Sequence, residues 1–341
     1  MTLLLSDADV RQAVDYAELA NCLEAALKVQ AEGGGLIPGR VNLEHFDVWL
    51  RLMPAIVPSA NVMGLKVFHG IPGRGARYLI LLYSLADGSA LAAVDACYLT
   101  AARTAATSAV ASRYLAPPGP VRLGVIGSGM EAEAHCRALS TVGEVTGMNV
   151  YSPNEGRRQA FADRMRSALG IPVTACDRPE EAVADVEHAV VATNTGPAMA
   201  VACQADWLSA GQHVTSIGST NVRLRELDAA TFRKADLVVL DADYDQMVEE
   251  SGDLIQYRAE GGGFDPVRMQ TLPNLIGGAA VGRQRSDQLT LYKSVGTALQ
   301  DVIAADLLYR RARELGLGLD IPDLCQEKQD AVTKPAGSIL G

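Results

Sequence analysis

The sequence predicts an α/β protein in two parts, a parallel-sheet unit in the second half and an α+β unit ahead of it. Three observations carry this reading. From Arg122 onward, short apolar runs alternate with helix-favouring segments, the rhythm of a parallel sheet with crossover helices. The run "PPGP" (117–120) breaks the chain just before that rhythm starts. Upstream, "VWLRLMPAIV", "VMGLKVFHG" and "YLILLYSL" read as strands separated by turns. A chain of 341 residues is long for one core and comfortable for two.

The elements follow in order. Ser6 is placed to cap a helix from Asp7 to Gln30, ended by Gly33-Gly34-Gly35. The three strands come next, then the turn Asp87-Gly88 and a fourth strand, "ALAAVDA". Thr100 would cap the alanine-rich helix "AARTAATSAVASRYLA", which puts Arg103 in its first turn. The second unit offers strands in "RLGVIG", "MNVYS", "HAVVAT", "HVTSIG" and "ADLVVLDA", with helices between, one of them around 157–169. A last helix is expected from Thr290 to Leu315, stopped by Gly316 and Gly318 and packed back on the first unit. The expected division is 1–118 with 300–325 for the first unit, 119–299 for the second, and a mobile tail over 326–341.

Bulk composition narrows the partners. Hydrophobic residues make up 48% and charged residues 21%, ordinary for a globular chain. A net charge of −10 speaks against nucleic acid, whose phosphates need a basic surface. The six cysteines contain no CxxC pair and read as scattered thiols of a reducing compartment. "MTLLLSDADV" lacks a basic n-region and a long apolar stretch, and no run approaches the ~20 apolar residues of a membrane span. The expectation is a soluble cytoplasmic protein with no membrane partner.

The stretch "RLGVIGSGMEAEAHCRAL" suggests what the second unit holds. Gly127, Gly129 and Ala132 fit G-x-G-x-x-A between a strand and a helix. In a Rossmann-type turn the first glycine makes the bend and the second admits a pyrophosphate; the third small residue lets helix and strand pack. Ser128, Met130 and Glu131 complete the candidate cofactor turn. The acidic residue that grips an adenine ribose should lie about 20 residues on, after the second strand. There the chain has Ser152, Pro153 and Asn154, then Arg157 and Arg158, and no carboxylate. An arginine would attract a 2′-phosphate, while Ser152 or Asn154 would bond a plain ribose. NADP(H) is slightly favoured and NAD(H) stays open; the arginines also fit a solvent-facing helix surface.

The other substrate should be met in the first unit, where four cations occupy unusual places. Arg40 follows a Pro-Gly turn, Arg51 stands inside "WLRLMP", Lys66 inside "GLKVF" and Arg103 in the alanine helix. A charge among apolar neighbours is costly unless paired, although each alone could snorkel from an edge. Together they suit a small anionic substrate, since guanidinium forks and an ammonium match a carboxylate.

With "LMPA" (52–55), "GLKV" (64–67), "LTAARTAATSA" (99–109), "VIGSGMEAEA" (125–134), "VVATNT" (190–195), "GDL" (252–254) and "YKSVGTALQD" (292–301), the chain resembles the ornithine cyclodeaminase/μ-crystallin family over nearly its whole length. The resemblance implies a dimerising substrate domain joined to a Rossmann domain, NAD(H) or NADP(H) as cofactor, and amino acids, imino acids or cyclic ketimines as substrates. It places Arg40, Lys66 and Arg103 at the family's substrate-carboxylate positions. Thr193, Asn194, Ser219 and the turn Ser294-Val295-Gly296 fall where the family lines the cofactor. A homodimer is likewise implied.

Two departures point to a branch. Where cyclodeaminases and related alanine dehydrogenases carry an aspartate after "IG", this chain reads "SIGSTNVRLREL", with Thr220 at the matching position. A threonine hydroxyl does not ionise near neutral pH and is no general base. Where cyclodeaminases have a glutamate before "LMP", this chain has Arg51, which would repel an amino group and attract a second acid group, unless it points to solvent. Both changes resemble the imine and ketimine reductases.

The expected reaction is therefore NAD(P)H-dependent reduction of a C=N bond in a small imino acid, with an imino dicarboxylate such as iminosuccinate as the sharpest candidate. Lys66 is the expected proton donor, and Arg40, Arg51 and Arg103 join it in binding substrate. His69 in "FHGIPGRG" is a further candidate acid or an ordinary loop histidine, and no histidine has a partner at metal-ligand spacing, so no metal is expected. Two alternatives stay open: a cyclodeaminase-type lyase that recycles bound NAD, and a non-catalytic NADPH-binding protein of the crystallin kind.

Overall fold

The computed structural model describes residues 1–196 and 201–327, so most of the expected tail lies outside the described residues. The chain opens with β1 (Thr2–Leu5), α1 (Asp7–Ala13) and α2 (Tyr16–Ala31). Five strands follow: β2 (Val41–His45), β3 (Val48–Val57), β4 (Val62–Gly70), β5 (Arg77–Ser84) and β6 (Ala90–Asp95). Helix α3 (Cys97–Leu115) leads into the second sheet. That part runs β7 (Val121–Ile126), α4 (Met130–Leu139), β8 (Val145–Tyr151), α5 (Glu155–Leu169), β9 (Val173–Ala175) and α6 (Pro179–Val183). It continues with β10 (His188–Val191), β11 (His213–Ser216), α7 (Ala229–Lys234), β12 (Leu237–Leu240), α8 (Tyr244–Glu250) and α9 (Gly252–Ala259). Strand β13 (Met269–Thr271), α10 (Leu272–Ile276), β14 (Thr290–Lys293), α11 (Ala298–Leu315) and β15 (Leu319–Ile321) complete it.

The first sheet has the order β15-β1-β6-β5-β4-β3-β2, antiparallel except where β1 pairs β6. The second, β13-β12-β14-β11-β10-β7-β8-β9, is parallel throughout. The fold is thus the expected α/β arrangement of a Rossmann-type parallel sheet beside an α+β unit. Chain order reverses between β7 and β10, the switch point outside which ligands of such sheets bind.

Alternation in β4 buries Val62, Gly64, Lys66, Phe68 and Gly70 on one face. Lys66 pairs across to Met53 and Phe68 to Arg51, so Lys66 and Arg51 both face inward. Helix α11 covers that face, packing on β3, β4 and β5. Helix α3 sits between the units, against α2 and α4, and its buried alanines (Ala101, Ala102, Ala105, Ala106, Ala109) allow the close approach.

Four local expectations are corrected. The first helix is two, because the Asp15 side chain accepts from Glu18 N and starts a new helix at Tyr16. Helix α3 begins at Cys97, whose N–H donates to Asp95 Oδ1 (2.9 Å), so Thr100 is no cap and Arg103 stands in the second turn. Residues 290–293 form β14 in the middle of the parallel sheet, and the last helix starts only at Ala298. His69 lies in β4, on the face opposite Lys66, not in a loop.

Candidate active site

A cleft of about 660 Å³ opens between the two sheets, with the glycine turn on one wall and the cationic set on the other. Its deepest feature is a shared carboxylate. Lys66 Nζ lies 2.7 Å from Asp301 Oδ2, and Arg103 Nε lies 2.8 Å from Oδ1 of the same residue. Arg103 also donates to Gln300 Oε1 (2.7 Å). Strand β4, helix α3 and helix α11 therefore each deliver one charge to a point where Lys66 is 2% exposed. Snorkelling is ruled out for this pair. Burial pulls Lys66 down to about 7, with the charge of Asp301 opposing it and that of Arg103 adding to it.

Arg40 reaches the cleft from the turn before β2. Its Nε pairs with Glu250 Oε2 (2.7 Å) and its Nη2 donates to Val295 O (2.7 Å). Burial lowers Arg40 and raises Glu250. Arg51 does not line the cleft. Its guanidinium lies 4.9 Å from the Trp49 ring and 5.8 Å from the Phe68 ring, and its nearest carboxylate oxygen, on Glu44, is 4.0 Å away. It is 8% exposed, so it does not point to solvent, and its Nε is buried without a hydrogen-bond partner among the described residues. Arg51 Nη1 approaches Thr220 O at 3.5 Å, so the two positions that depart from the cyclodeaminase pattern sit side by side.

The glycine turn has the shape that a dinucleotide requires. Gly127 has φ +129°, and a Cβ there would lie 2.2 Å from Ala192 O, so only glycine fits. A Cβ at Gly129 would meet nothing within 4 Å, which leaves its backbone open to a ligand at the start of α4. Ala132 is buried 3.7 Å from the Cβ position of Gly127, where it serves the packing of helix on strand and does not face the cleft. Ser128 Oγ donates to Ser152 Oγ (2.9 Å) at the cleft wall. Asn154 caps α5 by accepting from Arg157 N (2.8 Å). Arg158 is committed to Asp177 and Ser152 O, whereas Arg157 lines the cleft and makes no ion pair among the described residues.

Two carboxylates, neither marked by any motif, set the loops on the wall of the cleft that carries Thr193, Gly218 and Gly296. Glu226 Oε1 accepts from Thr193 N (2.7 Å), and Oε2 from Gly218 N (2.7 Å) and Ser216 Oγ (2.7 Å). Asp241 Oδ2 accepts from Ser294 Oγ (2.5 Å) and Gly296 N (2.7 Å). Beneath them Lys293 is fully buried, 2.9 Å from Asp253 Oδ2 and 2.8 Å from Ser216 Oγ. Thr193, Asn194, Thr220, Ser294 and Gly296 line the cleft as expected, with Met130 and Glu131. Ser219 does not; its hydroxyl is spent on Leu224 O and Asp253 N, a bond within the wall. Gly296 has φ +84°, and a Cβ there would meet the Arg103 guanidinium at 2.7 Å.

Sequence reasoning passed over Asp301, Glu250 and Glu226. For Asp301 the available signal was an aspartate in a mostly apolar helix, "ALQDVIAADLL", where an ion pair is the ordinary explanation; Glu250 and Glu226 had none.

Fold and cleft together define a two-unit protein in which a dinucleotide turn faces a buried, cation-rich pocket. Residues 1–316 match the ornithine cyclodeaminase/mu-crystallin family, and the chain belongs to it. A Δ1-pyrroline-2-carboxylate reductase of Bacillus cereus is 29% identical over 326 residues, covering 93% of this chain and 98% of that one. The structure of Thermococcus litoralis Δ1-pyrroline-2-carboxylate reductase with NADH and L-proline aligns with a TM-score of 0.88 at 29% identity, covering 94% of this chain and all of that one. An archaeal alanine dehydrogenase dimer with bound NAD aligns at 0.86 and 29% identity, covering 94% and 99%.

Proposed function

We propose that this protein is an NAD(P)H-dependent oxidoreductase that reduces the C=N bond of a small imino acid to the amino acid. The observation that carries it is the Lys66–Asp301–Arg103 cluster opening onto the same cleft as the Gly127–Ala132 turn. The bacillar and archaeal pyrroline-carboxylate reductases support the reaction class. Two cations sharing one carboxylate leave a net positive charge, which a substrate carboxylate neutralises.

The turn Gly127–Glu131 would hold a nicotinamide dinucleotide, which when bound would supply the hydride for the C=N carbon. The protein's part is to hold that carbon about 3–3.5 Å from the ring and to exclude water. Arg103 and Arg40 fix the substrate carboxylate, and Lys66, held at about 7, gives its proton to the imine nitrogen near neutral pH. Thr220 on the cleft wall offers no ionising base for a cyclodeaminase-type step. Arg51 stands behind Phe68, whose ring lines the cleft 5.8 Å from the guanidinium, and its charge there, without direct contact, supports a second acid group on the substrate, as in iminosuccinate. Arg157 beside Ser152 supports acceptance of the 2′-phosphate of NADPH as well as NADH.

The active form is read as a homodimer. The outer face of the first sheet carries exposed apolar side chains, among them Leu36, Val48, Ile56 and Leu79, which a second copy would cover.

The test is oxidation of NADH and NADPH against cyclic ketimines and against 2-oxo acids, oxaloacetate included, mixed with ammonia or methylamine. Turnover requiring the amine, or a preformed imine, supports the reading. Cofactor bound but never consumed, with release of ammonia from ornithine, refutes it.

A further inference from the structure

The cleft contains one charged group that the reaction above leaves unused. Glu131 is the second residue of α4, beside the glycine turn, and lines the cleft. Its Oε2 is buried and has no hydrogen-bond partner among the described residues, which is rare for a carboxyl oxygen and marks a place for a donor. The hydroxyl of Thr100, on α3 and also lining the cleft, is buried and unpartnered among the described residues as well. Burial raises the Glu131 carboxyl, and the opposing charges that bear on it are those of Arg103 and Lys66, the substrate-side cations. A carboxylate turned toward a pyrophosphate would be repelled by it, and the turn needs only backbone N–H groups at that point. Position 131 therefore belongs with the substrate and not with the dinucleotide phosphates.

We propose that Glu131 accepts a hydrogen bond from the substrate nitrogen, so that the cleft recognises a small acid bearing an N–H group beside its carboxylate. The inference rests on the imino-acid reading and deepens it. Arg103 and Arg40 take the carboxylate, and Glu131 takes an N–H of the protonated imine and of the amine it becomes. An oxo acid of the same frame brings a carbonyl oxygen, which can only accept, so it leaves Glu131 without a donor, and the specificity falls on C=N over C=O.

The test uses full-length protein saturated with NADH, titrated with three matched pairs: L-proline and cyclopentanecarboxylate, L-alanine and propionate, L-aspartate and succinate. Bound-cofactor fluorescence reads the affinity. The expected result is that in at least one pair the amino acid binds roughly 10–100-fold more tightly, the worth of one charge-assisted hydrogen bond. Glu131→Gln and Glu131→Ala should erase that preference while NADH affinity, the Kd of the nitrogen-free partner and thermal stability stay unchanged. A preference that survives both variants overturns the proposal, and so does a loss of NADH affinity in Glu131→Gln. Equal binding within every pair overturns the role of Glu131 alone. If no compound of the six binds, the imino-acid reading fails and the role of Glu131 fails with it.

Discussion

Lys66 on β4 and Arg103 on α3 hold the two oxygens of one buried carboxylate, Asp301 of α11, at 2.7 and 2.8 Å. Removing that carboxylate would leave two cations buried without compensation. Asp301→Ala is expected to cost about 3–5 kcal/mol in urea unfolding. In Asp301→Ala/Lys66→Met the loss should be smaller than in the single variant, since one stranded charge is gone.

The same pair sets a pH dependence. The Lys66 ammonium titrates at about 7 in the folded protein, against 10.5 as its ordinary value. Between these values the unfolded chain binds the proton and the folded chain does not, so stability rises with pH across that window and is lowest below about 7. Lys66→Met should flatten this slope in unfolding curves taken across the window. Activity runs the other way: kcat/KM for imine reduction should fall as pH rises through about 7, when the donor proton is lost.

The two glycines of the cofactor turn should separate folding from binding. Gly127→Ala forces a side chain into positive φ and against Ala192 O, and should lower stability by at least about 1–2 kcal/mol. Gly129→Ala meets no protein atom within 4 Å, so its Tm should hold while NADH affinity drops roughly tenfold in a fluorescence titration.

Arg157 is expected to decide the cofactor. With Arg158 tied to Asp177, Arg157→Ala should weaken NADPH by about 10–100-fold and leave NADH unchanged.

Arg51 tests the dicarboxylate. Arg51→Ala should raise KM for the imine of oxaloacetate by about tenfold or more and spare monocarboxylate imines. An equal effect on both would make Arg51 a support for Phe68 and Trp49 only.

Much of this was legible in sequence where local rules govern. Strands β3 and β4 fall on their apolar runs, and the glycine spacing from Gly127 to Ala132 lies between a strand and a helix, β7 and α4, the context that gave it meaning. The cations were visible because charge inside an apolar run is anomalous. Their partners were not: Asp301 is 198 residues from Arg103, and no local pattern joins them. Strand β14 escaped because its four residues are buried on both faces, so they show neither helical nor strand periodicity. Arg51 was read onto the cleft wall from its neighbours in the chain, whereas its pairing partner Phe68 occupies that wall. Glu226 was missed because its role lies in the backbone N–H groups of two loops that meet only when the sheet forms.

The central claim is hydride transfer to a C=N carbon, and the most direct measurement follows the hydrogen itself. NADH deuterated at both C4 positions would be supplied with Δ1-pyrroline-2-carboxylate, or with whichever imine turns over fastest, and the product weighed by mass spectrometry. The account predicts an amino acid carrying one deuterium on the former C=N carbon, one for each cofactor oxidised, and its loss in Lys66→Met. Product without deuterium, or deuterium retained entirely in the cofactor, would contradict it.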